Sequence, residues 1–375
     1  MGVDARTLGR RIAEARQRAG MTQQALGSEI SLDRSALAKI EQGDRRVTAL
    51  ELSRIAEALG DRIEWFLSDS APSIVSHRNM AAPGAPSPQI DEEIERRVRA
   101  VEFVKQHDGQ FELPTTPVHS LPASPEAAEE LAEKTRSLLG APPGGPLTRL
   151  SERFLVTGTL SFVVDLGTDA ADAASVLLDR GAVALVNGSL GVGRRRLALA
   201  HELGHILVAD EYTVDWRVEM STTTGYPEKI LDRFARSLLL PSNSLARHWK
   251  EWGGGQDNSF RAAAVQIASH YRVDMATLSR RLSELGLIDQ EQASLVRQFR
   301  TTKTDIVDFN LVVGDELASN RRDLPRQYEA AVIRLYRGEV ISAERALDLF
   351  FGTWEATDLP RLPTSPEAAI WQFIS

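Results

Sequence analysis

The 375-residue chain contains no cysteine. Disulfides and thiolate metal ligands are therefore excluded, and a metal site would have to be built from His, Asp, Glu or water. Long apolar runs are also missing, and no stretch approaches the ~18 residues needed to span a bilayer. The opening segment MGVDARTLGRRIAEARQR carries charge where a secretory leader needs an apolar stretch, so a cytoplasmic protein with no membrane partner is expected. A whole-chain basic footprint is absent, the formal net charge being −8, and so are internal repeats and low-complexity tracts. What is present, 42% hydrophobic and 26% charged residues, is ordinary globular composition. That excludes a disordered chain or a fibre and leaves length for two or three domains.

Charge is uneven along the chain. Residues 1–46 hold nine Arg/Lys against six Asp/Glu, a basic segment on an acidic chain that suits a local nucleic-acid contact. Apolar positions there recur at three and four: Leu8, Ile12, Ala15, then Leu26, Ile30, then Leu37, Ile40, then Leu52, Ile55, Ala56, Leu59. The stretch MTQQALGSEISLDRSALAKIEQGDRR (21–46) reads as two short helices. Thr22 and Asp33 stand at their cap positions, Ser31-Leu32 makes the turn, and Gly43 closes the second helix. Such a second helix can enter the major groove of double-stranded DNA, placing Arg34, Ser35, Ala36 and Lys39 at base edges, with Gln23 at a phosphate. Residues 7–67 resemble the lambda-repressor/Cro (XRE) helix-turn-helix family. Gly27 stands where that family usually has Ala, and Ser31 where the turn Gly is usual.

Residues 68–89, with four Pro and one Gly, read as a linker or extended excursion, and 91–107 as a helix. Ser124-Pro125-Glu126 is a helix start, and APPGGP (141–146) a breaker. Strands are expected at Phe154–Val156, Leu160–Val164 and Ala182–Val186. Helices are expected at Arg194–Val208, Pro227–Leu240, Phe260–His270 and Met275–Leu285, with a further pair around 325–336 and 343–351.

His201-Glu202-Leu203-Gly204-His205 is an HExxH pattern. On a helix it sets two imidazoles one turn apart on one face, where both reach one metal, and neutral imidazole nitrogen suits Zn²⁺. Glu202 between them can take a proton from the attacking water. A catalytic zinc usually has a third protein ligand. Asp210/Glu211, Asp215/Glu219 and Glu228 compete for that place. In Glu228-Lys-Ile-Leu-Asp232 the two carboxylates share a helix face, so Glu228 could ligate while Asp232 holds a ligand histidine; spacing alone leaves the choice even.

Residues 124–290 resemble the ImmA/IrrE family of metallo-endopeptidases, through RRRLALAHELGHILV, Glu228xxxAsp232RFARSLLLP and VQIASHYRVDMATLSRRLSELGLI. The resemblance implies Glu228 as third zinc ligand and a zincin-like domain of the gluzincin type. Asp232 replaces the family's usual Asn, and Ile230 stands where a second Glu, read as a helix-surface contact, is typical. Tyr226, just before the ligand helix, and Tyr212 are candidates to help the zinc stabilise an oxyanion. An exposed edge at Ala182–Val186 would pair with an extended peptide. Arg194, Arg195 and Arg196 read as solvated helix-start charges.

The expected architecture is mainly α with a small β-sheet. It comprises an all-α helix-turn-helix bundle (5–67), a linker with one helix (68–123), an α+β zincin-like domain (124–290) and a C-terminal helical extension (291–375). In the resembling family, separate proteases cleave XRE-type repressors during stress or mobile-element induction. A zinc-dependent endopeptidase fused to a DNA-binding regulator is therefore expected, its protein substrate an XRE-type repressor. A homodimer is expected from the DNA-binding family, although no heptad seam is visible. The alternative is a regulator whose zincin-like domain senses a ligand or partner without hydrolysis.

Overall fold

The structure is a computed structural model that describes residues 4–18, 21–59, 63–67, 74–78, 88–167, 170–208, 226–253, 259–311 and 322–362. The chain divides into two compact units, Met1–Pro72 and Ser73–Ser375. It is mainly helical, with one small sheet.

The first unit is a bundle of α1 (Ala5–Arg18), α2 (Gln23–Glu29), α3 (Arg34–Gln42), α4 (Ala49–Ala58) and α5 (Ile63–Leu67). Its apolar stripes meet in one core that includes Ile12, Leu26, Ile30, Leu37, Ile40, Ile55 and Phe66. The caps are those the sequence proposes. The Thr22 hydroxyl accepts from Ala25 N–H (3.1 Å), the Asp33 carboxylate accepts from Ala36 N–H (2.7 Å), and Gly43 ends α3 at φ 80. The two departures from the family pattern belong to one turn. Ser31 has φ 60, the conformation a glycine would take more cheaply. At Gly27 a Cβ would lie 2.7 Å from the Leu32 carbonyl oxygen, so no side chain fits beneath the turn.

The second unit is built on a four-stranded sheet of β1 (Ile74–Arg78), β2 (Thr159–Val164), β3 (Ala173–Leu177) and β4 (Ala182–Asn187), in the order β1-β3-β4-β2. β2 and β4 are parallel, β3 is antiparallel to β4, and β1 is antiparallel to β3. Strand residues alternate between two cores, as a period of two requires. Ala182, Ala184 and Val186 enter one, Val183 and Leu185 the other. The first core is closed by α7 (Pro125–Leu138), α9 (Val192–Val208), α10 (Tyr226–Leu239), α12 (Phe260–Tyr271) and α13 (Met275–Glu284). The opposite face is covered by α6 (Pro88–His107), α16 (Arg326–Arg337) and α17 (Ala343–Leu349). The described residues of the unit also form the helices α8 (Leu150–Phe154), α11 (Ser242–Glu251), α14 (Gln290–Gln298) and α15 (Lys303–Asp308).

Three expectations are corrected. Phe154–Val156 is not a strand: Phe154 ends α8 and buries its ring, and residues 155–157 form a single 3₁₀ turn closed by Gly158 at φ 75. Ala182–Val186 has no free edge, because β4 is flanked by β3 and β2. The arginines opening α9 are all engaged by partners in the unit, Arg194 while its side chain stays 39% exposed. Arg194 donates to both carboxylate oxygens of Asp172 (2.7 and 2.8 Å), Arg195 donates to the Leu190 carbonyl (2.6 Å), and Arg196 is fully buried against the Leu147 carbonyl.

Candidate metal centre and DNA-reading surface

The metal candidates are set by two crossing helices. α9 is buried along its length from Arg195 to Val208, and its His201 and His205, four residues apart, bring their Nε2 atoms to 3.0 Å. α10 lies close over this face because Gly204 has no side chain: a Cβ there would sit 3.0 Å from a Phe234 ring carbon and 3.3 Å from Leu231. That approach delivers the first turn of α10 to the histidines. Glu228 Oε2 is 3.1 Å from His201 Nε2, and Oε1 is 3.5 Å from His205 Nε2.

Ligand atoms ~2.1 Å from a tetrahedral centre lie about 3.4 Å apart. The three groups therefore already have the spacing of a shared divalent ion, with their candidate ligand atoms all within 4.8 Å of one another. The Glu228 side chain remains 48% exposed, which leaves one side of the cluster open. Burial pushes its carboxyl up, but the hydrogen bonds and charge of His201 and His205 outweigh this and hold it well below the ordinary carboxylate value.

Glu202, the residue after His201 on α9, is fully buried. Its Oε2 accepts a hydrogen bond from the Ser175 hydroxyl of β3 at 2.7 Å, while its buried Oε1 has no hydrogen-bond partner among the described residues. Such a half-satisfied carboxylate beside two metal-spaced imidazoles suits a site completed by an ion and a water.

Asp232 Oδ1 lies 2.9 Å from His201 Nδ1, the ring nitrogen opposite the one facing Glu228. Its other oxygen is 3.6 Å from Arg236, which is itself held by Glu284 at 2.8–2.9 Å. Behind these, Glu129 of α7 takes Arg233 of α10 and the fully buried Arg281 of α13, the latter at 2.9 and 3.0 Å. Burial pushes the Glu129 carboxyl up, yet the hydrogen bonds and charge of Arg281 and Arg233 bring it down to about 2. Ile230 is a core residue, so the position where a second Glu is typical faces inward here, not to the surface.

Of the other residues weighed from sequence, the Tyr226 side chain lies outside the described residues, as do Tyr212, Asp210, Glu211, Asp215 and Glu219. Ser175 escaped the sequence reading because β3 did. Arg236 carries a sequence signal only as the i+4 neighbour of Asp232. His248 stacks on Trp252, and His270 meets Trp252 and Tyr271 edge-on, rather than joining the cluster.

In the first unit, Arg34, Ser35 and Lys39 are exposed on α3 and Ala36 is half-buried. The Gln23 side chain is engaged within the bundle: its amide donates to Glu41 Oε2 at 2.7 Å, and Arg16 takes the other Glu41 oxygen at 2.6 Å.

Comparison with known proteins agrees with both resemblances. Residues 12–66 match a family model described as "Helix-turn-helix", and residues 164–283 match a peptidase family described as "IrrE N-terminal-like domain". No curated protein matches the chain. Among solved structures, the crystal structure of ComR from Streptococcus suis is 10% identical, covering 83% of this chain and 96% of that one, with a TM-score of 0.17. The apo competence regulator ComR from Streptococcus vestibularis is 14% identical, covering 87% and 98%, also with a TM-score of 0.17. Those scores are too low for the likeness to bear on fold or function. The two family matches support a DNA-binding regulator with a peptidase-family domain, and the His201/His205/Glu228 cluster is compatible with a metal ion. Among the described residues, no helix is long and apolar enough to cross a membrane.

Proposed function

We propose that the second unit is a zinc-dependent endopeptidase that cleaves a repressor-type protein in a stress or mobile-element response, with the helix-turn-helix unit directing the regulator to DNA. The observation that carries this reading is the convergence of His201, His205 and Glu228 beside a buried carboxylate with one unsatisfied oxygen. Two imidazoles and a carboxylate are a donor set suited to zinc at a catalytic site. A zinc ion held there would polarise both a water molecule and the scissile carbonyl.

The protein's own groups do the rest. Glu202 Oε1 takes a proton from the attacking water and returns it to the departing amine, while Ser175 fixes the carboxylate through Oε2. Asp232, whose Oδ1 lies 2.9 Å from His201 Nδ1, would accept the Nδ1–H of that ring, fixing its tautomer and leaving Nε2 free to ligate. Tyr226 is the candidate for a second oxyanion donor. On the first unit, Arg34, Ser35, Ala36 and Lys39 present side chains to base edges from the start and middle of α3, and the N-terminus of α2 at Gln23 faces a phosphate, in a homodimer on DNA.

The test is a Glu202→Gln protein loaded with zinc and incubated with a candidate XRE-type repressor. The variant is expected to keep its zinc by elemental analysis and to lose cleavage by about 10²-fold or more. Undiminished cleavage rejects the role of Glu202. A parent protein that holds zinc and cleaves nothing favours the non-hydrolytic sensor.

A further inference from the structure

We propose that the strand Ile74–Arg78 is a built-in pseudosubstrate, seated on the sheet edge along which a peptide must lie to reach Glu202. The inference rests on the peptidase reading and deepens it by naming how the site is regulated.

A peptide held in extended form gains affinity by adding a strand to a sheet edge. Without β1 the sheet has three strands, whose edges are the outer sides of β3 and β2, and only one serves this site. Glu202 is tied to β3 through Ser175, so the line next to the reacting groups is the outer side of β3. β4 is interior, and β2 lies two strands away, with its own outer side bridged at Val163 by Asp323. The outer side of β3 is taken by β1. Ile74 opposes Val176, Ser76 opposes Ser175, His77 opposes Ala174 and Arg78 opposes Ala173, and the backbone of β1 also runs close to α9. The occupying strand therefore crosses β3 at the residue that holds Glu202.

Two features make it an inhibitor and not a fixed part of the sheet. One is the bulge: between Ile74 and Ser76 the strand advances two residues against one on β3, so Val75 is extra opposite the Val176–Ser175 step. A regular substrate strand would have no such slip, and the bulge withholds a correctly registered amide from Glu202. The other is position. β1 is an edge strand paired on one side only, with β3, so it opens locally more readily than the interior strands. The strand begins two residues beyond the end of the first unit, so an event that draws residues 74–78 away uncovers β3 for another peptide.

The experiment uses the full-length chain and a fluorescein-labelled peptide of residues 73–79, Ser-Ile-Val-Ser-His-Arg-Asn. Binding is read by anisotropy, so the result does not depend on hydrolysis. In a Ser76→Pro/His77→Pro protein, one of two adjacent strand N–H donors must be lost from the ladder whichever way the pleat faces. This protein should bind the peptide at least about tenfold more tightly than the parent, with faster amide exchange at residues 173–177 and unchanged zinc content. The absence of native cysteine supplies a second, reversible arm. In His77→Cys/Ala174→Cys the opposed pair should close to a disulfide, abolish peptide binding, and restore it on reduction.

Equal peptide binding by the parent, the proline variant and the locked protein overturns the proposal, as does a cysteine pair that does not close. Self-cleavage within residues 74–78 on zinc loading overturns it too, making the strand a substrate. If a repressor is cleaved but the peptide arms show no difference, the pseudosubstrate falls alone. If the peptide arms behave as stated and no repressor is cleaved, the hydrolytic reading falls and the occupied edge stands.

Discussion

Asp232 offers the sharpest separation between a working site and a coincidental pattern. Its Oδ1 is 2.9 Å from His201 Nδ1, whereas the Arg236 guanidinium is 3.6 Å from its other oxygen and has Glu284 as a closer partner. If Asp232 orients the histidine, its loss should weaken zinc binding by about 10–100-fold, or roughly 1.4–2.7 kcal/mol. If it is only a partner for Arg236, a pair with one member 33% exposed is worth at most about 1 kcal/mol of stability, and zinc affinity should not change. Asp232→Asn keeps an acceptor oxygen beside Nδ1, and Arg236 keeps Glu284, so this variant should bind zinc nearly as the parent does. Competitive titration against a chromophoric chelator at fixed pH and salt reads all three proteins. Thermal melts of the metal-free forms separate affinity from folding. Glu228→Ala is the reference, and as a ligand it should lose far more than Asp232→Ala. An Asp232→Ala protein that holds zinc within about twofold of the parent refutes the reasoning.

Three further outcomes follow from other parts of the molecule. Gly27→Ala should destabilise the first unit by about 1–3 kcal/mol despite alanine's better helix propensity, because the new Cβ meets the Leu32 carbonyl oxygen; Ser31→Gly should leave stability equal or slightly raised, and urea melts of the two variants check both signs. Glu129→Gln should cost about 2 kcal/mol near neutral pH. Since the folded Glu129 carboxyl titrates at about 2 and the unfolded one near 4.5, its stabilisation is full above the unfolded value and fades as pH falls toward 2, so parent and variant should converge in acid, read as melting temperatures from pH 7 to 3. Arg34→Ala should cost about 1–3 kcal/mol on the preferred DNA site and relax its sequence preference, measured by binding-site selection at stated salt; an unchanged preference removes Arg34 from the reading surface.

The parts of the site that were legible in the sequence are those whose geometry is local. One helical turn separates His201 from His205, and another separates Glu228 from Asp232, so each pair's shared face follows from helix period alone. What brings the two pairs together is the crossing of α9 and α10 at Gly204, which no spacing expresses. Ser175 was hidden because Ala173-Ala174-Ser175-Val176-Leu177 has little β-branched or aromatic content and becomes a strand only between β1 and β4. β1 was hidden for the same reason, since the 68–89 stretch reads as linker until a partner strand exists. Arg194 and Arg196 look like solvated charges because their partners, Asp172 and the Leu147 carbonyl, are 22 and 49 residues away. The helix-turn-helix was the easiest part, because its caps and its turn are set by contiguous residues.

The most direct test of the account is zinc K-edge X-ray absorption on the purified chain, with elemental analysis of the same sample. The account predicts one zinc per chain, bound by two imidazole nitrogens at about 2.0–2.1 Å and by oxygen at about 2.0–2.2 Å, with the occupancy lost in Glu228→Ala. A chain that takes up no stoichiometric zinc, or a zinc spectrum without imidazole scattering, would contradict it.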